Sequence, residues 1–238
     1  MIARKSCNPL LANMLILLCS QLMLSACTTT EPIKHGAYQK PVTPGANVLL
    51  MTPDIECSKV TASGMIEPNA AWTAQCQRSV QAALLQFMSD HQANLIVYDP
   101  AAVPTNKISR YRELSKLYEA VGVSMLARSA LPTAKSKTDW TMGKGVQDFR
   151  QGYDADYALF IFLRDQYESG GRTAMRLAVA VLGVVTMPAT QQGFASLVDL
   201  RTGDIVWFNH LFSTVGDLRE VEPARNAINT LLESSPVL

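Results

Sequence analysis

Ala155-Asp156-Tyr157-Ala158-Leu159-Phe160-Ile161-Phe162-Leu163 is the stretch on which the fold turns. It is too short for a membrane span and rich in aromatic and branched side chains. Its near-continuous apolarity fits a strand covered on both faces, the central position of a layered α/β sheet. Asp154 precedes it and Asp156 is its second residue. Extended, they would share a strand face as an acid–base pair could; at a strand entrance, acidic residues more often cap the preceding helix region.

Downstream, residues 193–208 (Gly193-Phe194-Ala195-Ser196-Leu197-Val198-Asp199-Leu200-Arg201-Thr202-Gly203-Asp204-Ile205-Val206-Trp207-Phe208) hold two β-rich runs around a turn. Gly203 is available there for positive φ, so an antiparallel hairpin is expected. A closing helix over about 222–233 starts with Pro223 in its first turn and places Ala224, Ala227, Ile228, Leu231 and Leu232 on one face.

Upstream, residues 47–51 read as a buried strand stopped by Thr52-Pro53, and 53–68 as a loop with Gly64 and Pro68. A helix over 70–91 follows, N-capped by Asn69, with Trp72, Val80, Ala83, Leu84, Phe87 and Met88 largely on one face. Residues 95–98 form the next strand, ended by Asp99-Pro100. A second helix spans about 109–129 with Leu114, Leu117, Tyr118, Val121 and Leu126 inward, and Gly122 could break it. After a polar, turn-rich stretch (131–141), a short helix over about 144–153 leads into the central strand. The order is β–α–β–α–α–β, an apolar insert, a hairpin and a final α. It specifies a single α/β domain: a mixed sheet of about five strands with helices packed on it, closed by a C-terminal β-hairpin plus helix.

The apolar insert, 175–187, reads Met-Arg-Leu-Ala-Val-Ala-Val-Leu-Gly-Val-Val-Thr-Met. It is too short to span a bilayer. Two readings stand: a buried helix or strand, or an exposed element whose Leu177, Val179, Val181, Leu182, Val184 and Val185 dock on a membrane or a sister subunit.

The amino terminus carries address information. Arg4 and Lys5 precede an apolar run over 10–24 that ends in Leu24-Ser25-Ala26-Cys27. This has the shape of a secretory leader closed by a lipobox. It resembles the leader of bacterial lipoproteins, which implies diacylglyceryl transfer to the Cys27 thiol, cleavage after residue 26, and acylation of the new amino group. Thr28, in place of Asp, implies by the same resemblance sorting to the periplasmic face of the outer membrane. Residues 28–46, with Pro32, Gly36, Pro41, Pro44 and Gly45, read as a flexible tether, leaving 47–238 as the domain. Three acyl chains exceed the one-chain attachment that is only marginal.

Composition excludes some classes. With 21 basic and 20 acidic residues the net charge is +1, giving no electrostatic case for nucleic acid. Of the five cysteines, Cys7 and Cys19 leave with the leader and Cys27 takes lipid, so Cys57 and Cys76 remain in an oxidising compartment. A disulfide between them would close a loop of roughly 20 residues, worth about 3 kcal/mol. Two buried thiols or a redox pair are the alternatives, although no CxxC spacing supports the latter.

Ala155-Asp156-Tyr157-Ala158-Leu159-Phe160 and the hairpin residues Asp199, Thr202, Gly203 and Trp207, in a D-x-x-T-G-x-x-x-W pattern, carry a family likeness. They resemble proteobacterial envelope lipoproteins with an anticodon-binding-domain-like body. Among these are the curli-secretion-channel lipoproteins and the amino-terminal domain of the Tol–Pal periplasmic propeller protein. The chain departs from the curli channel in lacking a pair of alternating segments that could build a membrane barrel.

A search for catalytic chemistry finds little. His35, His91 and His210 have no metal-ligand spacing, Gly143-Lys144-Gly145 is not a phosphate loop, and no Gly-x-Ser-x-Gly elbow is present. His210 could pair in space with Asp199 or Asp204, and Asp54 and Glu56 follow the first strand, where α/β sheets often bind ligands. Trp72, Trp140 and Trp207 read as packing. The expectation is a non-enzymatic interaction or assembly module of the cell envelope, without metal or cofactor, partnered by the membrane and by an envelope protein or its own copies. The alternative is a ring-forming export component.

Overall fold

The computed structural model describes residues 28–30, 33–34, 45–91, 95–127, 139–186, 188–233 and 235–236, with side chains from 45 onward. Cys27, His35 and the leader lie outside the described residues.

The quoted stretch is the centre of one mixed sheet. Strand β7 (Tyr157–Glu168) runs parallel to β3 (Val48–Leu50) and β4 (Asp54–Val60), and antiparallel to β8 (Gln191–Asp199). β8 pairs with β9 (Ile205–Ser213) as the expected hairpin, and β6 (Leu95–Val97) lies parallel beyond β3. β7 is buried on both faces because helices cover both. α1 (Ala70–Asp90) and α5 (Val221–Leu232) pack on one core with Leu159, Ile161, Leu163 and Trp207. α2 (Ile108–Leu126) and α3 (Gln147–Tyr153) pack on the other with Phe160, Phe162, Phe194 and Phe208. The α/β class, the single mixed sheet and the closing hairpin and helix are all present.

Local signals act as physics requires. The Asn69 side chain accepts the Trp72 N–H at 3.0 Å and starts α1. All five residues assigned inward on the closing helix are buried. Asp154 ends α3 in the left-handed region, its N–H donating to the Arg150 carbonyl at 3.0 Å. Asp154 and Asp156 are therefore a helix terminus and a strand entrance, not a carboxylate pair on one strand face.

Three expectations need correction. Residues 53–68 are not a loop: β4 resumes directly after Pro53 and turns back as β5 (Ile66–Pro68). Leu50 lies opposite Leu159 and Asp54 opposite Phe162, so one extra residue is accommodated around Pro53, which has no N–H for the ladder. In α2 the buried residues include Tyr111 and Met125, whereas Leu117 and Leu126 are exposed. Thirdly, within the stretch read as tether, β1 (Thr28–Thr30) and β2 (Ile33–Lys34) lie antiparallel on β9. They cover an edge that would otherwise present unpaired backbone groups.

Gly122 does not break α2. It lets the helix approach the sheet: a Cβ there would collide with the Phe194 ring. That ring is fully buried and stacked on Phe162, centroids 4.6 Å apart, so it has no room to yield. Gly122→Ala should therefore cost about 1–3 kcal/mol of stability by overpacking, read as a lower midpoint in chemical denaturation. The Cys57–Cys76 disulfide is formed, linking β4 to α1 with Cα atoms 6.7 Å apart. Replacing both cysteines by Ala should remove up to about 3 kcal/mol, and the loss should match that of the reduced wild-type protein.

Candidate functional site

The last turns of β7 leave the apolar core and become polar. Asp165 and Tyr167, two apart, share a strand face, and Asp165 is only 1% exposed. Its Oδ2 accepts the Tyr167 hydroxyl at 2.6 Å, the Leu218 N–H at 2.9 Å and Gln191 Nε2 at 3.3 Å. Tyr167 meets the Trp72 ring edge-on at 5.5 Å, and its hydroxyl lies 3.6 Å from Cys76 Sγ. Arg219 covers both rings, 3.9 Å from the Tyr167 centroid and 4.8 Å from that of Trp72. Asp217 holds that guanidinium through Nη2–Oδ2 at 2.6 Å and Nε–Oδ1 at 2.9 Å.

Burial pushes the Asp165 carboxyl above its ordinary range; its hydrogen bonds from Tyr167, Leu218 and Gln191 only partly offset that. The Tyr167 hydroxyl is raised by burial and then by the Asp165 charge. For Asp217 burial acts upward as well, but the Arg219 hydrogen bonds and charge together prevail and hold it below the ordinary value. A cavity of about 310 Å³ opens beside this network, walled by Asp165, Glu168, Arg176, Gln191 and Arg219. Its acids are engaged: Glu168 faces Arg176 at 3.1 Å. Among the described residues, no histidine, cysteine or serine lines it, and no three His, Cys, Asp or Glu side chains gather as metal ligands.

A second cavity, about 330 Å³, lies at the carboxyl ends of β3 and β6, beside α1. Its walls are mostly apolar, among them Met51, Ile55, Leu84, Leu85 and Val97. Asp54 and Glu56, the acids expected near this crevice, do not line it. Asp54 pairs with Arg164 at 2.9 Å and Glu56 accepts the Ser58 hydroxyl at 3.0 Å.

The remaining singled-out residues are dispersed. His210 lies opposite Phe194, five residues along β8 from Asp199, a separation of roughly 17 Å. Asp199 instead accepts the Arg201 N–H at 2.7 Å and shapes the hairpin turn. His91 donates from Nδ1 to the Phe87 carbonyl at 2.9 Å. Gly203 sits at φ 87° against the Gly143 backbone, so Gly143-Lys144-Gly145 serves a backbone contact.

The apolar insert is a surface element. Ser169 N-caps α4 (Gly170–Val181) by accepting the Arg172 N–H at 3.1 Å, and not one residue of the helix is buried. Val181 is 86% and Val185 94% exposed; Leu177, Leu182 and Val184 are exposed and Val179 half-buried. Apolarity could not separate core from surface here, because both are apolar. Asp165, Tyr167, Asp217 and Arg219 were not singled out from the sequence. The available signal was a charged pair, Arg164-Asp165, continuing an otherwise buried strand.

No family model matches the chain, and no curated protein does. Among solved structures, the chain is similar to the PelC dodecamer from Paraburkholderia phytofirmans, at 12% identity and TM-score 0.37 over 89% of this chain and 97% of that one. It is likewise similar to a single-substitution variant of that dodecamer, at 12% identity and TM-score 0.36 over 89% and 98%.

The buried carboxylate predicts a pH signature. Because the Asp165 carboxyl is raised in the fold, folding takes up a proton between its ordinary value, about 4, and the raised one. Its contribution to stability falls as pH climbs through that window and is constant above it. Asp217 acts oppositely: its stabilisation is complete above the ordinary value and lost as pH falls through the lowered one. Asp165→Asn should abolish the first slope and keep the second in denaturation curves measured across about pH 3–7. Asp165→Ala should cost about 2–4 kcal/mol by leaving the Tyr167 and Leu218 donors unpaired.

Proposed function

We propose that this chain is a lipid-anchored, non-enzymatic interaction module of the bacterial envelope, held by Cys27 on the periplasmic face of the outer membrane. The observation that carries this reading is α4, a helix with no buried residue, with Val181 and the following Leu182 exposed, in a chain whose leader ends in a lipobox. A soluble enzyme gains nothing from such a face, whereas an anchored module uses it for contact.

The engaged carboxylates agree with a structural role for the polar network. Acid–base catalysis needs a group free to exchange its proton with substrate. Asp165 is occupied by three donors, and Asp217 and Glu168 by arginines. The partner is an envelope protein or further copies of this chain; assembly into an export ring is the second form of the same reading. No helix among the described residues is long and apolar enough to cross a membrane.

Cys27→Ala should move the protein from the membrane pellet to the soluble fraction and remove the mass of the acyl chains. Native mass spectrometry of gently extracted wild-type protein should give a lipidated species. One copy supports the adaptor form, and a single defined oligomer supports the ring. An unmodified chain in the membrane fraction would overturn the anchor.

A further inference from the structure

Strand register places Thr28, the residue after Cys27, and the exposed helix at one end of the sheet. Cys57 lies opposite Asp165, Asp165 opposite Gln191, Gln191 opposite Ser213 and Ser213 opposite Thr28, so these five form one row across the sheet. Cys27 directly precedes Thr28 in the sequence. The connection that contains α4 leaves β7 just past this row, at Glu168, and returns to it at Gln191. Arg176 of α4 and Val215, two residues after Ser213, wall the same cavity.

We infer that α4 and the turn after it lie in the headgroup–acyl boundary of the leaflet that holds the Cys27 lipid, as a second attachment beside the anchor. This rests on the lipoprotein reading of Cys27. The occupant follows from the register: acyl chains fixed one residue from Thr28 bring the bilayer to this end of the sheet before any other surface arrives. Further exposed apolar side chains share the end. Val215 follows β9, and Met65 and Ile66 lie at the β4–β5 turn, whose Gly64 sits beside Arg172 of α4.

Charge does not oppose such an interface. Residues 170–190 contain no Asp or Glu, and of their two arginines Arg176 is paired with Glu168. A helix with an apolar face lies in a membrane surface without crossing it. With the anchor already in place the helix docks intramolecularly, so a weak insertion suffices.

The test uses the full acylated chain in vesicles of phosphatidylethanolamine and phosphatidylglycerol with brominated acyl chains. A tryptophan reporter is introduced by Val181→Trp, at an exposed position that the fold does not depend on. A matching reporter, Thr202→Trp, sits at the hairpin turn on the opposite end of the sheet. Bromine should quench the added emission of the first at least twofold and leave that of the second unchanged. Acylation is read by mass on the same sample, so a chain without acyl groups refutes the lipoprotein reading itself. An acylated chain whose two reporters are equally unquenched overturns the docking. So does an acylated chain in which the first reporter escapes bromine but is shielded from aqueous acrylamide in a defined oligomer, because a second copy then covers α4.

Discussion

Double-sided burial of β7 is the constraint on which the rest of this molecule depends. A strand apolar on both faces cannot sit at a surface, so it demands a layer of helices above and below. Residues alternate along it: Leu159, Ile161 and Leu163 serve the core under α1 and α5, while Phe160 and Phe162 serve the core under α2 and α3. Every neighbouring strand takes its register from it, β3 and β4 on one side and β8 on the other. The strand outlasts its helix cover, however, and its last residues must change character. Asp165 marks that point, a carboxyl retained inside because three donors converge on it.

Much of this was legible because the decisive segments are locally consistent. The apolar run of β7, the Gly203 turn, the Asn69 cap and the five inward residues of α5 each specify one structure by propensity, period and cap chemistry together. The β4–β5 hairpin was not legible, because Pro53 normally ends a strand, and only pairing with β7 carries the chain past it. Gly122 illustrates the same limit. A glycine in a helix signals weakness, and only the position of Phe194 across the interface shows that it signals proximity.

The polar site was less legible than the fold. Its residues come from β7, β8, the loop before α5 and, through Trp72, α1. No short spacing joins Asp165 to Arg219; a network assembled across that separation leaves only the trace of charged residues where an apolar pattern should continue. The insert 175–187 posed the opposite difficulty. Its composition is that of a core, and its place on the surface follows from topology: both faces of the sheet beneath it are already covered.

One row of the sheet then links stability to the start of β1. The disulfide at Cys57, the buried carboxylate of Asp165, its partner Gln191 and the start of the first strand at Thr28 are connected laterally by backbone pairing. A pull on the amino terminus is therefore delivered along β1 to β9, and from there across the ladders to the most heavily cross-linked end of the domain. Peeling β1 from β9 loosens only an edge, because β9 stays paired with β8 and packed under α5. A domain that took the same pull at β6, a three-residue strand at the far edge beside β3, would lack both the covalent clamp and the buried carboxyl. Under the proposed attachment through Cys27, the reinforcement sits at the end that takes the pull, and it is placed there by register alone.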